Sequence, residues 1–503
     1  MMELSDWLDK IVHLEADGWV IEYDGHQIGR AELRAAVEDI SETLVRAGVP
    51  DGGRVGVVMR NRPGIVAALL ACIITRRTIV SINPFLPPAT LLTEVRDLST
   101  DAVIGDPSDL TDDLLAAAAS NGSARIAVTL GAARLLAEMH PDRTAPERDE
   151  RGFVALQLLS SGTTGKPKRI DLAARTLADA MADVMTKPED KAGNPKPKRS
   201  PTVVSAPILH VAGWLGMLGS LLEARPIVMM ERFEVDAWVS AVSRHRIKSA
   251  SLGPTPMRML LDANPPKEAL SSLIAVRTGT APLPPETQKE FQDRYGIAVL
   301  IQYGASEWMG GVAGWTFEDF RAFGASKLGS VGRARGDIRL RVVDPDTGAE
   351  LPADEVGVLE VLPVGRVDSD EWARTSDSAS IDADGFVYIH GRTDDMILRG
   401  GFKVEAAKVA AALERHPAIL EAAVLGLPDA RLGEVPVAAL EPAPGAEPPS
   451  EAELEQFARE TLLAYQVPAR FVVMEKLPRT YSMKVDRPVL RKLLESDIAA
   501  ATG

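Results

Sequence analysis

The stretch Ser160–Lys168 reads SSGTTGKPK and follows the apolar run VALQLL. A glycine-rich turn leaving a strand offers free backbone N–H groups, and glycine lets an oxyanion approach the main chain closely. The hydroxyls of Ser160, Ser161, Thr163 and Thr164 add donors; Lys166 and Lys168 add positive charge. Such a set suits phosphate. It differs from the common nucleotide P-loop, which has four residues between its glycines and then a Lys-Ser/Thr pair opening a helix. Here Gly162 and Gly165 are two residues apart and Pro167 follows Lys166. The spacing predicts a cradle in which hydroxyls and lysine do more of the binding than a helix N-terminus.

Further candidates stand along the chain. YGASE occupies 303–307, ARTSD 373–377, GRTDDMILRGGFKV 391–404 and LPRTYSMKVDR 477–487, while SAPILHVAG at 205–213 carries His210. Singly, each has an ordinary explanation. Tyr303 suits a core, Glu307 a solvated surface, Lys484 an exposed basic stretch, and a lone His210 near an apolar run a satisfied core position. Their joint occurrence points to a nucleotide site.

Together and in this order the motifs resemble those of the adenylate-forming superfamily: acyl-CoA synthetases, aryl-CoA ligases, luciferases and peptide-synthetase adenylation domains. SSGTTGKPK resembles its signature loop, YGASE its Tyr-Gly-x-Thr-Glu, ARTSD its Arg-Thr-Gly-Asp, GRTDDMILRGGFKV its hinge motif, and LPRTYSMKVDR the segment with its late catalytic lysine. The likeness spans nearly the whole chain. It implies ATP and Mg²⁺, with coenzyme A as co-substrate. Ser160, Ser161, Gly162, Thr163, Thr164, Gly165, Lys166 and Lys168 would hold the β- and γ-phosphates, Thr163 among the catalytic groups. Tyr303 would stack on adenine beside Gly304, with Gly279, Thr280, Ala281 and Pro282 opposite. Ser306 takes the family threonine's place near the α-phosphate, and Glu307 is the expected Mg²⁺ ligand, since a hard cation prefers carboxylate oxygen. Asp377 would accept hydrogen bonds from the ribose, Arg392 would reach ribose or phosphate, and Lys484 would bridge the carboxylate and α-phosphate.

The resemblance also implies an acyl pocket from His210, Val211, Trp214, Ser251, Ala281, Gly304, Met309 and Gly310, with His210 as a gate at its carboxyl end. That set is apolar and small and lacks a carboxylate to pair an amino group, so a hydrophobic carboxylic acid is expected rather than an α-amino acid. Asp394 falls at the hinge position and Gly400 and Gly401 on the path of coenzyme A. Several positions depart from the pattern. Met483 replaces the glycine before the lysine, Ala406, Lys408 and Ala410 replace Pro-x-Glu-x-Glu, Ser376 replaces a glycine, and Arg76-Arg77 replaces a small-Gly pair. The expected activity is therefore an AMP-forming acyl- or aryl-CoA ligase. The alternatives are an adenylation-only enzyme feeding a partner enzyme or carrier protein, and a non-catalytic nucleotide or acyl binder.

Elements must position these residues. Ala31–Ala47 has helical apolar spacing, RVGVVM follows as a strand, Pro63 opens a second helix, and TIVSIN is again a strand. VALQLLS, TVVSAPI and PIVMME continue the strands, and Ala237–His245 is helical. Alternating helix and strand predicts parallel sheet covered by helices. From Gly329 the texture becomes antiparallel, in RLRVVDPDTGAELP and GVLEVLPV. Lys-Pro-rich 187–201 and acidic EPAPGAEPPSEAE read as surface loops. The expected architecture is α/β: a large body of helix-covered sheets with a small antiparallel region over 1–392, then a smaller mobile α+β domain over 393–503.

The 503 residues allow large cores. Lys and Arg number 56 against 71 Asp and Glu, a net charge of −15, which argues against nonspecific grip on nucleic acid or anionic membrane. The single cysteine, Cys72, excludes an internal disulfide, sits in the apolar AALLACII, and is expected in the core. MMELSDWLDK lacks a signal-peptide pattern, and no apolar run reaches the ~20 residues of a membrane span. These features predict a cytoplasmic location; oligomeric state is not legible.

Overall fold

A computed structural model describes residues 3–502 apart from 16, 141–152, 160–168, 176, 179–194, 306–307, 309, 363–370, 393–394, 430 and 481–484. The chain divides into two compact units. The first holds 1–312, 316–322 and 365–368; the second holds 313–315, 323–364 and 369–503.

The first unit contains a seven-stranded sheet in the order 133–137, 124–128, 102–105, 54–58, 78–82, 154–159, 169–173. Its five inner strands are parallel and each edge strand is antiparallel. Strands covered on both faces need near-continuous β-branched and apolar residues, and RVGVV, TIVSI and AVIG supply them. The helix Pro63–Ile74 starts with proline where no N–H is missed. Its residues Pro63–Ile73 are all buried, Cys72 included. Burial pushes the Cys72 thiol up to about 12, so it is a core residue and no nucleophile.

Two further sheets complete this unit. In one, Thr202–Val204 and Trp19–Tyr23 flank Ile227–Met229 in parallel. In the other, Ser249–Ser251, Ala275–Thr278 and Ala298–Ala305 run parallel, with Gly310–Gly314, of which 310–312 belong to this unit, next in order. The stretch read as TVVSAPI is a strand only to Val204. Pro207, with no N–H to give a ladder, falls instead in the turn before the helix Val211–Leu222.

The second unit confirms the change of texture. Arg339–Val343, Gly357–Leu362, Ala373–Ile381 and Val387–Arg392 form an antiparallel sheet. A second sheet pairs Phe402–Glu405, Met396–Arg399, Gly433–Pro442 and Ile419–Asp429, with Arg470–Val473 joined to its long strand. The helices Ala406–Leu413 and Glu451–Thr461 cover one face, where Val409, Leu413, Leu440, Leu454 and Phe471 are buried. The helix Arg487–Thr502 packs Leu490 and Leu494 with Leu425 and Leu427. Of EPAPGAEPPSEAE, Glu441 and Pro442 still belong to the strand Gly433–Pro442, and the loop that follows runs only as far as Ser450. There a capping box with Glu453 satisfies two orphan N–H groups and starts a helix.

Candidate active site

Three parallel strands set the first part of the site. Ser251 lies opposite Arg277, and Thr278 opposite Ile301. Ser251, Gly279–Pro282 and Tyr303–Gly304 therefore all lie at one carboxyl edge of these strands, where open α/β sheets bind ligands. Glycine at two of these positions is steric. A Cβ on Gly279 would lie 2.7 Å from the Gln302 carbonyl oxygen, and one on Gly304 would fall on the carbonyl of Gly310. Thr280 has φ +73°, a left-handed conformation that costs a β-branched residue about 1–3 kcal/mol and gathers at ligand clamps. The buried hydroxyl of Thr278, two residues earlier, has no hydrogen-bond partner among the described residues.

A second element reaches the same edge. His210 stands at the N-cap position of the helix Val211–Leu222, and its N–H donates to the Pro207 carbonyl at 3.1 Å. Gly213 fits because a side chain there would overlap that carbonyl. Leu215 of this helix comes within 3.2 Å of where a Cβ on Gly310 would stand. The acyl-pocket candidates His210 and Val211 thus share a helix that packs on Gly310, which in turn backs Gly304. His210, Val211 and Ala281 are half-buried and Ser251 is exposed, whereas Trp214 is completely buried. Its indole N–H has no partner among the described residues.

The phosphate-loop candidates Ser160–Lys168 lie outside the described residues, as do Ser306, Glu307, Met309, Asp394, Met483 and Lys484. The frame of the first segment is well defined. Leu159 and Arg169 are register partners. Arg169 donates to Glu94 at 2.5 Å and to the Ser81 carbonyl at 3.0 Å. Gln157 accepts from Arg54 and donates to Asp171, each at 2.7 Å. Burial raises the pKa of Glu94 and lowers that of Arg169, each opposed by the charge of the other.

In the second unit Asp377 and Arg392 are register partners on adjacent strands. The Asp377 N–H donates to the Thr375 hydroxyl at 2.9 Å, and the Arg392 guanidinium donates to Ser376. A small cavity beside Arg392 is lined by Ser378, Asp395, Met396, Glu405 and Ala406. Gly400 and Gly401, at φ +57° and +88°, form the two-residue turn of a hairpin whose register pairs Arg399 with Phe402. That turn requires glycine-like backbone at both positions on its own account.

Either side of Lys484 the chain is pinned. Arg479 donates to Glu421 at 2.5 Å and Glu441 at 3.0 Å, and pairs with Val485 in an isolated bridge. The Asp486 N–H donates to the Pro478 carbonyl at 2.7 Å, and Arg487 is 3.0 Å from Asp395. Sequence reasoning missed the buried, doubly donating amide of Asn61 and the Arg169–Glu94 pair. An arginine directly after the phosphate-loop lysine was a signal for the second; its partner, far along the chain, was not legible. Among the described residues no group of three potential ligands forms a metal site, and no helix is long and apolar enough to cross a membrane.

The profile of the AMP-binding enzyme family matches residues 9–362, and that of the AMP-binding enzyme C-terminal domain matches 408–484. A feruloyl-CoA synthase of Amycolatopsis sp is 29% identical over 506 residues, covering 97% of this chain and 98% of its own. Among solved structures, ATP-bound MatB from Rhodopseudomonas palustris superposes with TM-score 0.80 at 25% identity, over 98% of this chain and 99% of the other. O-succinylbenzoate coenzyme A synthetase from Bacillus subtilis, in complex with ATP and magnesium ion, gives 0.78 at 25% identity, over 96% and 99%. The chain belongs to the AMP-binding enzyme family, within the adenylate-forming superfamily. By class it is an AMP-forming acid–thiol ligase.

Proposed function

We propose that this enzyme activates a hydrophobic carboxylic acid with ATP and passes the acyl group to coenzyme A. The observation that carries this reading is the carboxyl edge shared by Ser251, Gly279–Pro282 and Tyr303–Gly304, with the His210 helix packed on Gly310 behind it. The strained Thr280 loop and the Tyr303 ring suit an adenine. The apolar side chains on the adjoining helix suit the acid.

In the first half-reaction a carboxylate oxygen attacks the α-phosphorus, forming acyl-AMP and releasing pyrophosphate. Catalysis there is positioning plus neutralisation of negative charge. Ser160–Lys168 would hold the departing phosphates, Glu307 the Mg²⁺, Asp377 and Arg392 the ribose, and Lys484 the reacting oxygens. In the second half-reaction the coenzyme A sulfur attacks the acyl carbon and AMP leaves. The body 1–392 would carry the nucleotide and acid, and 393–503, hinged at Asp394, would swing so that Lys484 withdraws and Gly400–Gly401 admit the thiol. The site is proposed to work in the cytoplasm.

The departures at Ala406, Lys408, Ala410 and Met483 favour a second reading, in which acyl-AMP is handed to a partner enzyme or carrier protein. The test measures pyrophosphate release and thioester formation over a panel of benzoate, 4-coumarate, ferulate, indole-3-acetate and octanoate. Acid-dependent pyrophosphate release with thioester formation supports the ligase. Full adenylation without thioester supports the second reading, and bound ATP without acid-dependent turnover overturns both.

A further inference from the structure

Asn61 lies three residues beyond the strand Arg54–Val58 and is 2% exposed, an uncommon place for a primary amide. Among the described residues its side chain makes three hydrogen bonds, all to main chain of distant segments. Its amide donates to the carbonyls of Ala206 at 3.0 Å and Met230 at 2.9 Å, and its oxygen accepts the N–H of Ile208 at 2.8 Å. Ala206 and Ile208 bracket Pro207, whose carbonyl accepts the N–H of His210 and leaves room only for glycine at Gly213. One buried amide therefore fixes both sides of the turn from which His210 projects.

The flanking residues hold Asn61 itself in place. Arg60 donates to Asp109 at 2.6 Å and lies 4.4 Å over the Phe85 ring. Arg62 pairs with Asp106 at 2.7 Å and Glu231 at 3.0 Å. Glu231, next to the Met230 carbonyl that Asn61 holds, also accepts from Tyr23 at 3.0 Å. An ion-pair network thus immobilises the ends of the segments that the amide joins.

We propose that Asn61 is a positioning residue for the acid site: it sets the turn Ala206–Ile208 and through it the placement of His210. The proposal rests on reading His210 as part of the acyl pocket. A short primary amide matches what it meets: the turn offers the Ala206 carbonyl and the Ile208 N–H, and the segment at Met230 offers a second carbonyl. A carboxylate would face two carbonyls with no proton to give, and an alkyl group would leave three buried polar groups unpaired.

The test uses the full-length chain with Asn61→Ala, Asn61→Asp, His210→Ala and the double variant Asn61→Ala/His210→Ala. Histidines labelled with ¹³C in the ring give seven signals, and His210→Ala identifies one of them. Asn61 substitution should move that signal and leave the other six in place; an unmoved His210 signal overturns the proposal. This arm needs no substrate. In ATP–pyrophosphate exchange with the most active acid of the panel above, Asn61→Ala should raise the KM for acid by about 10-fold. The KM for ATP should stay within about 2-fold, and the double variant should be no worse than His210→Ala alone. Equal changes in both KM values overturn the proposal while leaving His210 in the site. A silent His210→Ala removes His210 from the acid site and overturns the proposal by a separate route. Should Asn61→Ala fail to fold, Asn61→Asp, which keeps the acceptor for Ile208, is read in the same way.

Discussion

Asp377 and Arg392 face each other across one antiparallel ladder, 15 residues apart in sequence and direct neighbours in register. The two strands deliver a carboxylate and a guanidinium to one place with no loop to order. Within its own strand the Asp377 N–H donates to the Thr375 hydroxyl, and across the ladder the Arg392 guanidinium donates to the Ser376 hydroxyl, which ties the arginine side chain to the neighbouring strand. Ser376 stands where a glycine was expected, and here it has a use that glycine lacks.

The first prediction concerns that pair. Asp377→Ala should raise the KM for ATP by about 10- to 100-fold, the worth of charge-assisted hydrogen bonds to a ribose, with the KM for acid little changed. Steady-state kinetics with each substrate varied separately decides it.

Lys484 separates the half-reactions. Lys484→Ala should slow adenylation several hundred-fold or more, about 3–4 kcal/mol, and spare thioester formation from supplied acyl-AMP. Equal loss of both steps would contradict its role. Glu307→Gln should raise the Mg²⁺ concentration needed for half-maximal exchange, and an unchanged metal dependence would count against the assignment.

Gly213→Ala should destabilise the first unit by about 1–3 kcal/mol, because the added methyl meets a main-chain carbonyl that cannot turn aside. Thermal unfolding reads the loss. Gly401→Ala, where nothing stands within 4 Å of the added carbon, should cost less, arising from its positive φ alone.

His390 gives a pH test. Burial, its largest influence, lowers its pKa below the usual 6.5, with Glu405 opposing and Lys408 adding to the fall. Its ring nitrogen lies 2.9 Å from the Ser380 hydroxyl. The folded imidazole resists a proton that the unfolded chain accepts, so stability is full above the unfolded value and falls as pH drops below about 6.5. His390→Gln should flatten that fall in urea unfolding between about pH 5 and 7. Lys408→Glu, which restores an acid, should raise the imidazole pKa and shrink the same dependence.

The sequence alone determined the class of fold, because the signals are local. Alternating β-branched strands and amphipathic helices force parallel sheet, and the later period-two stretches force antiparallel sheet. It made the class of chemistry legible through short motifs taken together, in order, and their resemblance to the adenylate-forming superfamily: the hydroxyl-rich loop, YGASE, ARTSD, and a late lysine. The core role of Cys72 followed from its apolar neighbours and is borne out by complete burial. Where the reading slipped, at the end of TVVSAPI and the start of SEAE, a proline and a capping box set the boundary; such ends depend on a few atoms rather than on a pattern.

Only the tertiary structure decided which distant segments share an atom's reach. Nothing near Asn61 in sequence announces Ala206, Ile208 and Met230, and nothing near Arg169 announces Glu94. The Gly304–Gly310 and Gly213–Pro207 contacts likewise turn ordinary glycines into positions where no side chain fits. The physical reason is range. Periodicity and propensity act over a few residues, whereas hydrogen bonds and steric exclusion act over a few ångströms, and only the folded chain converts one distance into the other.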